Sequence, residues 1–136
     1  MKQIKLLSVL VIFLSLTLAC NKTPHDKLIG NWDVVKIVNS TMTEQEDIDF
    51  FNEMNKDVLD KEVFTFSDDK VVKNFPEKGE GTWEIDENGT TLSIDWGEND
   101  TYSPHTFVVK KLSSDSLIIE EDFEEFLMTT YFTKKK

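Results

Sequence analysis

Between Trp32 and Thr133 the chain is cut into short β-branched and aromatic runs, separated by clusters of Gly, Asn, Asp, Ser and Pro. Eight of these runs read as strands: Trp32–Val38, Val63–Ser67, Val71–Phe75, Thr82–Ile85, Thr91–Trp96, His105–Leu112, Ser116–Glu120 and Phe126–Thr133. Two alternate cleanly. Leu92, Ile94 and Trp96 oppose Thr91, Ser93 and Asp95, and Trp83 and Ile85 oppose Thr82 and Glu84. A period of two means one buried and one wet face, the habit of antiparallel sheets. Asp68-Asp69-Lys70, Asp86-Glu87-Asn88-Gly89 and Ser113-Ser114-Asp115 are short enough for hairpin connections. Consecutive hairpins without crossover helices make a meander, and a long meander loses its open edges by closing on itself. The expected fold is all-β: an eight-stranded up-and-down antiparallel barrel, with one helical insert between strands 1 and 2.

That insert is Thr43 to Asp60. Ile48, Phe51, Met54, Val58 and Leu59 fall on one broad helical face, with Phe50 at its margin. Thr43 and Glu46 have capping-box spacing, and Glu44, Glu46 and Asp47 suit the positive end of a helix dipole. The apolar stripe predicts packing against the parent domain. With so many acids and Lys56 alone mid-helix, membrane insertion is not expected.

The first twenty residues carry a different pattern. Lys2 and Lys5 precede an apolar run from Leu6 to Leu18, then Ala19 and Cys20, the chain's one cysteine. A charged start, an apolar helix and a small residue at the cleavage point make a secretory signal peptide. A spanning helix needs about 17 to 25 apolar residues, so this run is too short for a permanent anchor. The junction resembles the lipobox of bacterial lipoproteins, with Leu16, Thr17 and Leu18 one step out of the usual register. The resemblance implies that Cys20 becomes the lipidated first residue of the mature protein. Two or more acyl chains then hold it stably to a bilayer, where one would bind only reversibly. The alternative is a secreted protein with a free cysteine near its cleavage site. Asn21, where Asp would favour inner-membrane retention, points to the outer membrane of a bacterial envelope. The expected organisation is 1–19 signal peptide, 20–27 lipidated cysteine and tether, and 28–136 barrel domain. Asn21 to Lys27, with Pro24 and a solvated His25, could reach about 25 Å at roughly 3.3–3.6 Å per residue.

Charge excludes several functions. Without the leader, 13 lysines face 26 acidic residues, a formal charge of −13, and there is no arginine. Nucleic acid binding needs a clustered basic surface, so no nucleic-acid partner is expected. With Cys20 committed to lipid, a monomer has no disulfide and must hold by packing and hydrogen bonds.

Gly30-Asn31-Trp32 at the opening of the first strand resembles the lipocalin G-x-W motif, and Gly81-Thr82-Trp83-Glu84-Ile85 repeats its pattern. With the strand count and the insert, residues 28 to 133 look like the lipocalin-like domain of small bacterial lipoproteins. The resemblance implies that Gly30 permits a tight turn and that Trp32 plugs the closed end of the barrel. The family's late arginine, stacked on that tryptophan, is missing; Lys134 stands nearest by position. Strand order then puts the insert at the open mouth, where the resemblance implies that it acts as a lid. Pro76–Glu80, Gly97–Asp100 and Glu121–Glu125 join it there, with Glu77, Glu80, Glu98, Asp100, Glu121, Asp122, Glu124 and Glu125 against Lys78 alone. The tether and Lys134-Lys135-Lys136 emerge at the closed end, and lysines facing anionic headgroups would be worth about 1 kcal/mol each.

No catalytic set is evident, and no enzyme, metal or cofactor is expected. His105, the domain's only histidine, reads as an edge or surface residue, and no G-x-S-x-G, H-E-x-x-H or phosphate loop occurs. The candidate site is the barrel interior, with Phe51, Phe64, Phe66, Trp83, Ile94, Trp96, Phe107 and Met128 as ligand-binding residues. Small eight-stranded barrels either fill with side chains or hold one small ligand. Two functions follow: a lipoprotein binding a small apolar molecule, neutral or cationic because the mouth is acidic, or a filled barrel presenting acidic mouth loops to another protein.

Overall fold

The computed structural model describes residues 21–136; Cys20 and the leader before it lie outside the described residues. Helix α1 (Pro24–Leu28) leads into β1 (Gly30–Asn39), and α2 (Gln45–Met54) and α3 (Lys56–Lys61) follow. The other strands are β2 (Val63–Phe66), β3 (Lys70–Lys73), β4 (Gly79–Ile85), β5 (Thr91–Asp95), β6 (His105–Leu112), β7 (Ser116–Asp122) and β8 (Leu127–Lys134). All eight close into a barrel in sequence order, every neighbouring pair antiparallel and β8 returning to β1. The expected up-and-down barrel is the fold. Register breaks at Val34/Lys36 and Val109/Lys111 supply the local bends that help a short sheet curl shut.

Directly opposed residues of an antiparallel pair share a face. Trp32 opposes Phe64, Phe66 opposes Val71, Ile94 opposes Trp83, Leu92 opposes Phe107 and Leu117 opposes Phe132. These residues make the core, in which Trp32, Val71, Leu92 and Leu117 have no exposed surface. Each large apolar side chain so buried contributes about 1.5–3 kcal/mol relative to exposure.

Four local readings change. The tether is not extended: Thr23 and Asp26 form a capping box, Pro24 opens the first turn, and α1 folds over the closed end. His25 is therefore not a free linker residue, since it stacks on Trp83 at 4.8 Å. The insert is two helices, broken at Asn55, whose amide donates back to the Phe51 carbonyl at 2.8 Å. Such local side-chain bonding competes with helix continuation. Thr43 makes no cap, and Glu44 occupies the N-cap position without a side-chain bond.

Only α3 seats firmly, through Val58 and Leu59 against the core; α2 buries no residue fully, and Phe50 and Met54 are exposed. Ile48 and Phe51 line a shallow groove with Ile37 and Val38 of β1. No helix among the described residues is long and apolar enough to cross a membrane.

Candidate functional site

The closed end is sealed by the first turns of the chain. The Trp32 indole N–H donates to the Leu28 carbonyl at 2.7 Å, so α1 caps the tryptophan directly. Lys134 lies over the Trp32 ring, its ammonium 5.0 Å from the centroid, and donates to the Lys27 carbonyl at 2.9 Å. It fills the place of the missing arginine by cation–π contact. Burial holds the Lys134 ammonium below the usual lysine range, with the Lys22 charge acting the same way. It is therefore not one of three free lysines at this end. Asp68, Asp69, Asp86, Glu87 and Asp115 stand in the β2–β3, β4–β5 and β6–β7 turns at the same end, which makes it far less basic than its lysines alone imply.

Above this floor the barrel is hollow. A cavity of about 230 Å³ opens at the mouth, lined below by Phe64, Phe66, Ile94, Trp96, Phe107, Ile119 and Phe132. Its upper wall is polar: Glu62, Lys73, Asp100, His105, Glu121 and Thr130. Phe64 meets Phe132 edge-on at 5.4 Å and Trp96 at 6.1 Å, giving the floor an aromatic lining. Gly81 lets β4 approach β5 and Trp96 closely, because a Cβ there would run into the Asp95 backbone and sit 3.1 Å from the indole.

The polar wall has two parts. His105 bridges two carboxylates, with Nδ1 2.5 Å from Glu121 and Nε2 2.9 Å from Asp100. Only 15% of its side chain is exposed, so it is an interior residue and not an edge one. Burial opposes its charge, but the two carboxylates outweigh that and raise its pKa. Glu121 is raised by burial, with His105 opposing. Asp100 is lowered, first by the Tyr102 N–H and then by His105.

The second part is Glu62 and Lys73. Neither side chain has a hydrogen bond or ion pair among the described residues. Burial pushes the Glu62 carboxyl up to about 7, with the Lys73 charge opposing. The Lys73 ammonium lies 5.1 Å from the centroid of the Trp96 ring.

Of the candidate ligand-binding residues, the cavity brings together Phe64, Phe66, Ile94, Trp96 and Phe107. Trp83 lies a layer lower, edge-on to Phe66 at 5.4 Å, with its indole N–H bonded to the Ser67 and Lys70 carbonyls. Phe51 lies in the groove outside β1, and half-buried Met128 is not part of the lining. Glu80 is not a mouth residue either: it sits on β4 and pairs with Lys70 at 3.0 Å. Lys73 in the cavity corrects the picture of Lys78 as the mouth's sole cation.

Glu62, Lys73, His105, Glu121 and Thr130 share one signal. Each stands two residues from an inward apolar residue, namely Phe64, Val71, Phe107, Ile119 and Phe132, one pleat step nearer the mouth.

With this geometry in place, a family model described as lipocalin-like domain matches residues 28–119. The chain belongs to the lipocalin-like family. No curated protein matches it in sequence. Among solved structures, the crystal structure of a lipocalin-like protein from Bacteroides uniformis ATCC 8492 is similar in fold. The TM-score is 0.54 at 19% identity, covering 80% of this chain and 99% of that one.

Proposed function

We propose that this chain is a lipid-anchored binding protein of a bacterial envelope, which holds one small apolar molecule, neutral or cationic, inside its barrel. The observation that carries the reading is the cavity, with an aromatic floor beneath a wall that holds three carboxyls, one lysine and one histidine. A small number of placed polar groups over an apolar lining is the usual build of a ligand pocket. The acid surplus disfavours fatty acids and other anions.

Binding without chemistry fits the same wall. Both nitrogens of His105 are occupied by carboxylates, which leaves the imidazole no free nitrogen to act as a base. Lipidation of Cys20 would set the closed end near the bilayer, since only Asn21, Lys22 and Thr23 stand between it and α1.

Native mass spectrometry of protein purified from its source is the test, with a bound molecule of a few hundred daltons or less expected. Ligand-free protein whose Trp96 is also unresponsive to small apolar probes would overturn the ligand reading. Cys20→Ser should release the protein from the membrane fraction; retention of that variant would overturn the anchor.

A second reading, interaction through the mouth loops, has one observation in its favour. Phe123 and Phe126 stack at 4.8 Å amid Asp122, Glu124 and Glu125, and Tyr102 on the neighbouring β5–β6 loop is 77% exposed. Reversing Glu121, Asp122, Glu124 and Glu125 should then abolish capture of a partner, and unchanged capture would count against it.

A further inference from the structure

Five charged side chains line the cavity, and three of them, Asp100, His105 and Glu121, satisfy one another. Glu62 and Lys73 are left, opposite in charge and facing one chamber, Glu62 at the joint between α3 and β2 and Lys73 at the end of β3, yet no ion pair joins them. The backbone that carries Glu62 is held, and the stem of Lys73 is packed. The Asn74 side chain accepts from the Val63 N–H at 2.7 Å and donates to the Lys61 carbonyl at 3.0 Å, clamping the backbone on both sides of Glu62. The Glu62 N–H caps α3 by donating to the Val58 carbonyl at 2.8 Å. The stem of Lys73 runs over Gly79, where a Cβ would come within 3.0 Å of its Cε.

Two opposite charges without hydrogen-bond or ion-pair partners, one of them resting over Trp96, stand above an apolar floor and suit a ligand with both signs at one end. Resting on the cavity reading, we propose that the ligand is a small zwitterion: an ammonium held by Glu62, a carboxylate held by Lys73, and an apolar tail on Phe64, Trp96 and Phe107. An apolar amino acid has this chemistry. Size agrees, because 230 Å³ is the liquid volume of about eight waters, room for an organic molecule of roughly ten non-hydrogen atoms. Net charge agrees too. A zwitterion is neutral overall, so the acidic mouth that disfavours anions admits it.

A matched series on one apolar body separates the contributions: phenylalanine (zwitterion), phenethylamine (cation), 3-phenylpropionate (anion) and toluene (uncharged). Binding is followed by calorimetry and by the fluorescence of Trp96, with W96F as control for Trp32 and Trp83. Phenylalanine is expected to bind tightest. E62Q should weaken phenylalanine and phenethylamine about tenfold and spare 3-phenylpropionate, whereas K73M should weaken phenylalanine and 3-phenylpropionate and spare phenethylamine. K73Q, which keeps a polar tip, guards against a packing defect in K73M. Phenethylamine binding as tightly as phenylalanine, or a K73M/K73Q pair that leaves the ranking unchanged, would overturn the zwitterion and leave a cation-binding cavity standing. Toluene alone binding would also overturn it. No response to any of the four would overturn the cavity reading as well.

Discussion

At the closed end of the barrel four side chains around the core are each committed to a backbone carbonyl: Trp32 to Leu28, Trp83 to Ser67 and Lys70, His25 to Asp68, and Lys134 to Lys27. At the mouth the polar groups face one another or nothing. Asp100, His105 and Glu121 bond side chain to side chain, while among the described residues Glu62 and Lys73 have no hydrogen-bond or ion-pair partner, Lys73 resting only on the Trp96 ring. A carbonyl partner is rigid and fixed by the fold, so the first arrangement adds stability. A free side chain over a cavity adds none, but it is available to a ligand. The barrel thus gathers its backbone-anchored polar groups at one end and leaves the other, where the proposed ligand would enter, with groups that can still rearrange.

The largest test is a pair of tryptophans. Trp32→Ala removes a fully buried ring and its bond to Leu28, and should cost about 3–5 kcal/mol in urea unfolding. Trp96→Ala, at the half-buried cavity wall, should cost under about 2 kcal/mol. Equal costs would break the comparison. Next come two glycines with positive φ. Alanine at Gly30, φ +134, would place a Cβ 2.5 Å from Lys134 Cε and push that lysine off Trp32. A loss of about 2–3 kcal/mol is expected there. Gly97, φ +86, has nothing within 4 Å of the added atom, so Gly97→Ala should cost only the backbone penalty of about 1–2 kcal/mol.

Most of the fold was legible because a half-buried strand writes its face into the sequence as a period of two. Leu92, Ile94 and Trp96 did so, and the strand bounds mostly shifted by no more than a residue or two. The capping box at Thr23 and Asp26 was equally written, but a polar, proline-bearing stretch beside a cleavage site reads first as linker. The Thr43 box misled for the opposite reason: spacing alone does not place the backbone to use it. The polar wall was missed because apolar content served as the test for the inside. Glu62, Lys73 and His105 obey the same parity as Phe64, Val71 and Phe107 next to them, and only their polarity hid them. That Glu121 and His105 meet across β6 and β7 depends on register past a bulge, which no local pattern specifies.

Glu62 offers a pH test of the mouth. Its folded pKa, about 7, lies above the ordinary 4.5, so the folded state binds the proton more tightly than the unfolded chain. The stability this gives is full below pH 4.5 and is lost as pH rises through 7. Glu62→Gln, neutral at every pH, should match the parent near pH 4 and exceed it by about 1–2 kcal/mol at pH 8, a figure reduced for partial solvent access. Chemical denaturation at both pH values is the check, and a variant that is no more stable at pH 8 would mean that the carboxylate is well solvated. Binding runs the other way. Phenethylamine should bind tighter above pH 7, where Glu62 is ionised, and release a proton as it enters at neutral pH.

The smallest effect in global stability belongs to His105, and it divides the mouth itself into a latch and a receptor. The imidazole ties Asp100, in the β5–β6 loop, to Glu121 on β7. Its pKa is raised above 6.5, so its contribution is complete below pH 6.5 and fades as pH climbs through the raised value. His105→Gln should move the unfolding midpoint little, because the rest of the loop is separately held by Ser103, which donates to Asp95 and accepts from the Trp96 N–H. What should change is local opening. Amide hydrogen exchange at Tyr102, whose N–H donates to Asp100, should speed several-fold at pH 6 in the variant, and the parent should approach that rate as pH rises. Trp32 and Leu117, near the closed end, should exchange as before. If they quicken together with Tyr102, the two ends are one cooperative unit and the division between a stable floor and an adaptable mouth is lost. If only Tyr102 responds, the mouth can loosen around a ligand without disturbing what holds the barrel closed.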